Sequence, residues 1–282
     1  MRTIIVGVEQ SPESMAALAW ARAVAGPQDR IVAVHSWDVP VYVGYEGAIA
    51  IDPRELEQAA SDVLDRIVGG ADDQRVVPML VQGPAGRAIV DVAEGADLVV
   101  VGHRGSGKVS LVLGSTANYV VHHTKLPVVV ARGEGDHVPV RHVVVGVDEP
   151  HRKETEPPSV RALQWAASLL SVERVDVMHS WFLPAVVLGR ISTSAIDSAD
   201  MDDAASEVIR RAIDAAGSLP SGVAVEPVVG RGTPGFALIE ASRDADLVVV
   251  GSRGHGGFTD LVLGSTTLEV AAHAHCPVAI VR

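Results

Sequence analysis

Residues 97–109 read DLVVVGHRGSGKV, and residues 246–258 read DLVVVGSRGHGGF. Each is an apolar, strand-forming run that breaks into glycines. Taken alone, the segment from Gly102 to Lys108 completes the pattern G-x-x-x-x-G-K and lacks only the Ser/Thr of a P-loop. The second copy puts Gly257 where the first has Lys108 and keeps the surrounding glycines. A P-loop helix also opens at the GK step, whereas the better helix start here comes later, at Gly114-Ser115-Thr116 and Gly264-Ser265-Thr266. The P-loop reading therefore gives way. Both copies share G-x-x-G followed, eight or nine residues on, by G-S-T. Glycines let a backbone turn sharply and approach a ligand. A helix start offers free N–H groups, hydroxyls and a positive dipole end to an anion. In a single copy the same residues serve equally as a tight turn and a helix cap.

The rest of the chain repeats as well. TIIVGVE (3–9) returns as HVVVGVD (142–148), and the helix SMAALAW (14–20) as SVRALQW (159–165). His35-Ser36-Trp37 returns as His179-Ser180-Trp181, and LVLGST (111–116) as LVLGST (261–266). Both copies close on a Pro-Val strand ending in arginine, at 127–132 and 277–282. The order is kept throughout, with offsets between 139 and 150. Two homologous domains are expected, 1–132 and 141–282, joined by a polar linker over 133–140.

Within a copy, strand and helix periods alternate. Strand 3–8 precedes a helix beginning near Ser11-Pro12-Glu13, with serine as cap and proline at the first helical position. Met15, Leu18, Ala19, Ala21 and Ala23 are its expected sheet-facing positions. Strand 30–36 follows, then a helix opened by Asp52-Pro53 and running through Val68. Strand 75–81, helix 84–94, strand 97–101, helix 115–123 and strand 127–131 complete the unit. Alternation of this kind implies an α/β class of two tandem, doubly wound parallel domains. Ligands in such sheets sit beyond the carboxyl ends of the strands, where strand order reverses.

Composition agrees: 48% hydrophobic, only 4% aromatic and 21% charged suit Val-rich buried strands under Ala-rich helices. A net charge of −12 argues against DNA or RNA as partner, but not against one small nucleotide held by backbone N–H groups. One cysteine, Cys276, rules out an intrachain disulfide and fits a reducing compartment. No run approaches the roughly 18 apolar residues of a membrane span. The first residues enter a strand without a leader pattern, so a cytoplasmic location is expected.

The spacing G-x2-G-x9-G-[S/T], after DLVVVG and before a helix and a Pro-Val strand, resembles the ATP-binding branch of the universal stress protein family. The VGVD-like first strand, the Ser-x5-Trp helix and the tandem arrangement resemble its actinobacterial two-domain members. The resemblance covers nearly the whole chain. It implies a five-stranded sheet of order 3-2-1-4-5, a nucleotide at the switch point, and homodimers of tandem chains. It implies ATP, with Mg²⁺, as ligand. Adenine-side contacts would come from Gly7, Val8, Glu9 and Ser36, or from Gly146, Val147, Asp148 and Ser180. Ribose and phosphate contacts would come from Val101, Gly102, Arg104, Gly105, Gly114, Ser115 and Thr116. Their counterparts are Val250, Gly251, Arg253, Gly254, Gly264, Ser265 and Thr266.

Three departures separate the copies. Glu9 stands where the family has Asp, the first glycine loop is one residue shorter, and six extra residues lie within 149–159. The second site is therefore expected to be the more competent, with the insertion as its lid. The function implied is a stress regulator that couples nucleotide state to an unidentified protein partner, without being an enzyme. The alternatives are a nucleotide-free dimerising scaffold and a slow, metal-assisted ATP hydrolase. His122-His123 and the pair His273 and His275 fall in last helical turns and read as dipole partners, not metal ligands. Trp20 and Trp165 read as core, Cys276 as the start of a buried strand, and 197–203 (DSADMDD) as a solvated helix entry.

Overall fold

Strands apolar on both faces are stable only when helices cover both sides of their sheet, and the Val-rich runs form such strands. The computed structural model describes residues 1–39, 52–69, 73–104, 113–133, 139–149, 157–183, 198–252 and 263–282. The chain divides into two units, Met1–His137 and Val138–Arg282.

The first unit runs β1 (Thr3–Gly7), α1 (Pro12–Val24), β2 (Arg30–Trp37), α2 (Pro53–Val68), β3 (Val76–Gln82), α3 (Ala85–Val92), β4 (Leu98–Gly102), α4 (Ser115–His123) and β5 (Val128–Ala131). Its strands are parallel in the order β3-β2-β1-β4-β5. The second unit repeats this with β6 (His142–Gly146), α5 (Pro158–Ala167), β7 (Arg174–Trp181), α6 (Ser198–Ala216), β8 (Ala224–Arg231), α7 (Pro234–Ala241), β9 (Leu247–Gly251), α8 (Ser265–His273) and β10 (Val278–Val281). Its order is β8-β7-β6-β9-β10. In each, the chain leaves the central strand toward one edge and returns to its other side. The reversal falls between β1 and β4 and between β6 and β9, and opens a crevice at the carboxyl ends. Among the described residues, no helix is long and apolar enough to cross a membrane.

Sequence signals set the helix starts. The Ser11 side chain accepts from Ser14 N, and Asp52 from Arg54 N, each followed by proline in the first turn. The face of α1 differs from expectation. Leu18 and Ala21 are buried as expected, but Met15 is exposed, and Ala19 and Ala23 are only partly covered. Ser14, Ala17, Trp20 and Val24 take the inward places instead. The helix is turned so that the Ser14 hydroxyl, rather than Met15, meets the end of β1.

Other expectations divide. Trp20 is buried at 1% exposure, whereas Trp165 in the second copy is only partly buried. Cys276 is buried ahead of β10. The Nδ1 atoms of His122, His123 and His273 meet the carbonyls of Asn118, Tyr119 and Glu269 one turn back, near the negative end of the helix dipole. The acidic entry to α6 is not merely solvated. Trp181 Nε1 donates to Asp202 Oδ1 at 2.7 Å, and Arg231 donates to Oδ2 at 2.8 Å. Arg231 first, then Trp181, hold the Asp202 carboxyl below its ordinary range. Asp197 lies outside the described residues.

Helix α3 crosses α4 closely, as α7 crosses α8, at matched glycines. A Cβ on Gly86 would fall 2.7 Å from Tyr119 Cβ, and Tyr119 is itself stacked on His123 with centroids 3.9 Å apart. The nearest atoms to a Cβ on Gly235 belong to the carboxylate tip of Glu269, which can swing away. Gly86→Ala should therefore destabilise the first unit by about 1–3 kcal/mol. Gly235→Ala should cost less than about 1 kcal/mol, because helix propensity offsets the adjustment. Urea denaturation of both variants decides this; equal losses would contradict it.

At the amino edge of the first sheet, Arg75 Nε donates to Asp73 Oδ1 at 2.9 Å and Arg75 Nη1 donates to the Ala25 carbonyl. The Arg75 hydrogen bonds outweigh burial and hold the Asp73 carboxyl below its ordinary value. A lowered folded-state pKa contributes stability that is full above the unfolded value of about 3.9. That stability is lost as pH falls through the lowered value. Asp73→Asn should thus flatten the acid limb of a stability–pH curve. An unchanged limb would show that the pair contributes nothing.

Candidate functional site

The carboxyl end of β1 is held by its neighbours before any ligand is considered. Val8 N donates to the Val34 carbonyl at 2.9 Å. The Val8 carbonyl faces His35 Nδ1 at 2.8 Å. A carbonyl can only accept, so Nδ1 carries the proton, and Nε2 of the neutral ring is an acceptor. The second unit repeats both bonds: Val147 N donates to the Met178 carbonyl at 2.8 Å, and His179 Nδ1 meets the Val147 carbonyl at 2.9 Å. The N–H groups of Val8 and Val147 are therefore already committed. What these residues offer a base is side-chain surface and one remaining carbonyl lone pair.

Gly102 ends β4, and the reason it must be glycine differs from the expectation. It does not take a positive φ, and its missing side chain does not face a ligand. A Cβ there would fall 2.8 Å from the carbonyl carbon and oxygen of Glu13 and 3.0 Å from Ser14 N. The first turn of α1 occupies that space. In the second unit, a Cβ on Gly251 would lie 3.0 Å from Pro158 Cβ and 3.1 Å from the Pro158 carbonyl carbon. Gly7 is similarly covered, since its Cβ would meet Ile89 Cδ1 of α3 at 2.5 Å.

Beyond β4 the chain departs and returns to the same point. Gly114 N donates to the His103 carbonyl at 2.9 Å, and Gly264 N to the Ser252 carbonyl at 3.0 Å. The two glycine loops differ by one residue but are closed by the same base bond. Helices α4 and α8 then start at Gly114 and Gly264 without a side-chain cap, unlike α1 and α2. Their first N–H groups have no intrahelical acceptor and suit an anion.

These parts enclose a cleft of about 430 Å³ in the first unit, within the usual size of small-molecule sites, about 300–1,000 Å³. It gathers Gly7, Val8 and Glu9 from the β1 end, Ser36 from β2, Val101, Gly102 and Arg104 from the β4 end, and Gly114, Ser115 and Thr116 from α4. Gly105 lies outside the described residues. In the second unit Gly146 ends β6 and Val147 and Asp148 follow it, Ser180 lies near the end of β7, Val250 and Gly251 end β9, and Gly264, Ser265 and Thr266 open α8. Arg253 and Gly254 lie outside the described residues, as does most of the insertion. Ser180 Oγ is shielded from solvent and has no hydrogen-bond partner among the described residues, which leaves its donor for a ligand.

A model of the universal stress protein family matches residues 1–132 and again 139–282. The chain belongs to the universal stress protein family. It is 31% identical over 294 residues to a universal stress protein of Mycolicibacterium smegmatis, covering 99% of this chain and 96% of that one. A universal stress protein of Mycobacterium tuberculosis is 30% identical over the same 99% and 96%. Among solved structures, a universal stress protein from Archaeoglobus fulgidus superposes with a TM-score of 0.64 at 20% identity, covering 99% of this chain and 98% of its own. That likeness concerns the fold.

For a universal stress protein, the sequence reading of the site passed over lining residues that include Ser14, His35, Ala85 and Ile89. Ser14 and His35 carried a signal, because both stand in segments repeated in the second copy. They read as framework there, since a side chain that bonds backbone leaves no spacing pattern. No group of three or more His, Cys, Asp or Glu that could hold a metal ion occurs among the described residues.

The His35 bond is testable. Val8 is buried at 5% exposure, so His35→Leu strands its carbonyl and should destabilise the first unit by about 1–3 kcal/mol. His35→Asn keeps an N–H donor near the Nδ1 place and should recover most of that loss. Chemical denaturation showing equal losses would refute the assignment.

Proposed function

We propose that the chain is an adenine-nucleotide-binding stress regulator that takes ATP at the carboxyl edge of its sheets. The observation that carries this reading is the first-unit cleft, which collects every described residue of that expected site around an uncapped helix start. The carboxylates of Glu9 and Asp148 and the hydroxyls of Ser36 and Ser180 supply hydrogen-bonding partners for the base end. The N–H groups opening α4 and α8 face the phosphates. Mg²⁺ enters on the phosphates, because this ion keeps much of its water and binds through substrate oxygens.

The protein acts by binding rather than by turnover. Among the described lining residues of the cleft, Glu9 is the only carboxylate, and phosphoryl transfer calls for groups that hold metal and orient a nucleophile. Nucleotide state is then read by an unidentified protein partner, in the cytoplasm, by homodimers of tandem chains.

Isothermal titration of the full chain with ATP and Mg²⁺ tests the reading, with ADP, AMP and cyclic AMP as competitors. Gly114→Val and Gly264→Val should each abolish binding at their own unit; both glycines have negative φ, so valine fits the backbone. Phosphate release should stay far below about 1 s⁻¹, the lower end of ordinary enzyme turnover. Absence of heat with every nucleotide would overturn nucleotide binding, and rapid phosphate release would overturn the regulator reading.

A further inference from the structure

Glu9 stands where the second unit has Asp148, and the structure shows how it is held. The Ser14 hydroxyl accepts from Glu9 N at 2.7 Å and donates to the Glu9 carbonyl. Both backbone groups of one residue thus converge on one oxygen atom. Ser14 is itself fixed: it is buried at 3% exposure, and its N–H donates to Ser11 Oγ at 3.3 Å. Its N atom also lies 3.0 Å from where a Gly102 Cβ would stand. With the N–H and carbonyl of Glu9 both bonded to Ser14, its backbone is held at the place where Glu9 lines the cleft.

The second unit secures its carboxylate by another route. Asp148 Oδ1 accepts from Glu149 N at 2.8 Å, a local bond that a short aspartate can make and that fixes the side chain directly. Ser159, at the place of Ser14, follows Asp148 by eleven residues instead of five, because of the inserted segment. A glutamate has one more rotatable bond to order on binding, so fixing its backbone matters more.

We propose that Ser14 is a positioning residue for the first-unit nucleotide site. It acts through Glu9, whose longer side chain serves as a ligand group there because its backbone is clamped in advance. The inference rests on the nucleotide reading of the cleft. A bond of this type accounts for a few-fold to tenfold change in an equilibrium constant, or about 0.5–1.5 kcal/mol.

The test uses the full chain carrying Gly264→Val, so that binding reports on the first unit. Ser14→Ala should weaken ATP binding about five- to tenfold, while Ser14→Thr, which keeps the hydroxyl, should stay within about twofold of the parent. In a Glu9→Ala background, Ser14→Ala should add nothing further to the loss, a coupling that a purely structural serine would not produce. Amide hydrogen exchange at Glu9, measured without nucleotide, should speed up in Ser14→Ala and not in Ser14→Thr. If Ser14→Ala does not fold, Ser14→Cys, a weaker hydrogen-bonding group, should give an intermediate loss of affinity. Equal weakening with and without Glu9, or unchanged affinity in a folded Ser14→Ala or Ser14→Cys chain, overturns the proposal while leaving nucleotide binding intact. No binding by the Gly264→Val chain overturns the nucleotide reading of the first unit itself. Unchanged Glu9 exchange in Ser14→Ala overturns the clamp whatever binds.

Discussion

Everything at the carboxyl edge depends on how closely a helix start approaches a strand end. The first turn of α1 lies against Gly102 at a distance no side chain permits, with the Glu13 carbonyl 2.8 Å from the position of a Cβ. That contact fixes α1 between β1 and β4, the two strands that flank the reversal of strand order. It also sets Ser14 beside Glu9, across the crevice from lining residues of α3 and α4. The second unit uses the same device, with Pro158 pressed on Gly251. Glycine is required here for packing, and the ligand-facing cleft is a consequence of that packing.

The rest of the scaffold follows from two-sided burial. Ile4, Ile5, Val6, Val99 and Val100 in the first unit, and Val143, Val144, Val145, Val248 and Val249 in the second, are at most 1% exposed. Each such side chain contributes on the order of 1.5–3 kcal/mol when removed from water. Strands this apolar cannot slip by one residue without turning helix-facing groups to different neighbours. The strand ends, where the site sits, are accordingly held in register by the core.

Much of this was legible in the sequence, for identifiable reasons. Periodicity and caps placed α2 at its observed start and end, because Asp52 followed by Pro53 marks one end and the loss of pattern after Val68 marks the other. Internal repetition revealed two units where a single copy of the glycine loop had suggested a P-loop. Side chains that bond backbone were not legible. Ser14 falls in the first turn of a helix opened by Ser11 and Pro12, where nothing in the pattern marks it, and the apolar stripe reads one position away, from Met15. His35 looked like part of a strand. Asp202 looked like one of several solvated acids, since its partners Trp181 and Arg231 lie 21 and 29 residues away in sequence. Hydrogen bonds of this kind depend on where elements meet, and no spacing within one element announces them. Gly102 reads in the sequence as a glycine that lets a ligand approach, and the structure gives it a packing role against the first turn of α1.

Comparison of the two units separates what the fold needs from what the ligand end can vary. The bonds that hold the scaffold occur twice: histidine to the Val8 or Val147 carbonyl, the loop-closing bond at Gly114 or Gly264, and the uncapped helix beyond it. The groups that face the cleft, or steer those that do, have diverged. Glu9 stands where the second unit has Asp148 and is fixed through its backbone by Ser14, whereas Asp148 is fixed through its side chain by Glu149 N. Loop length differs as well, yet the base bond is unchanged, so the difference lies wholly within the loop. Mutations at the first class of position would cost stability in either unit alike. Those at the second class alter one cleft without unmaking the fold. The frame is thus shared by the two units while the groups at its carboxyl edge are set separately in each.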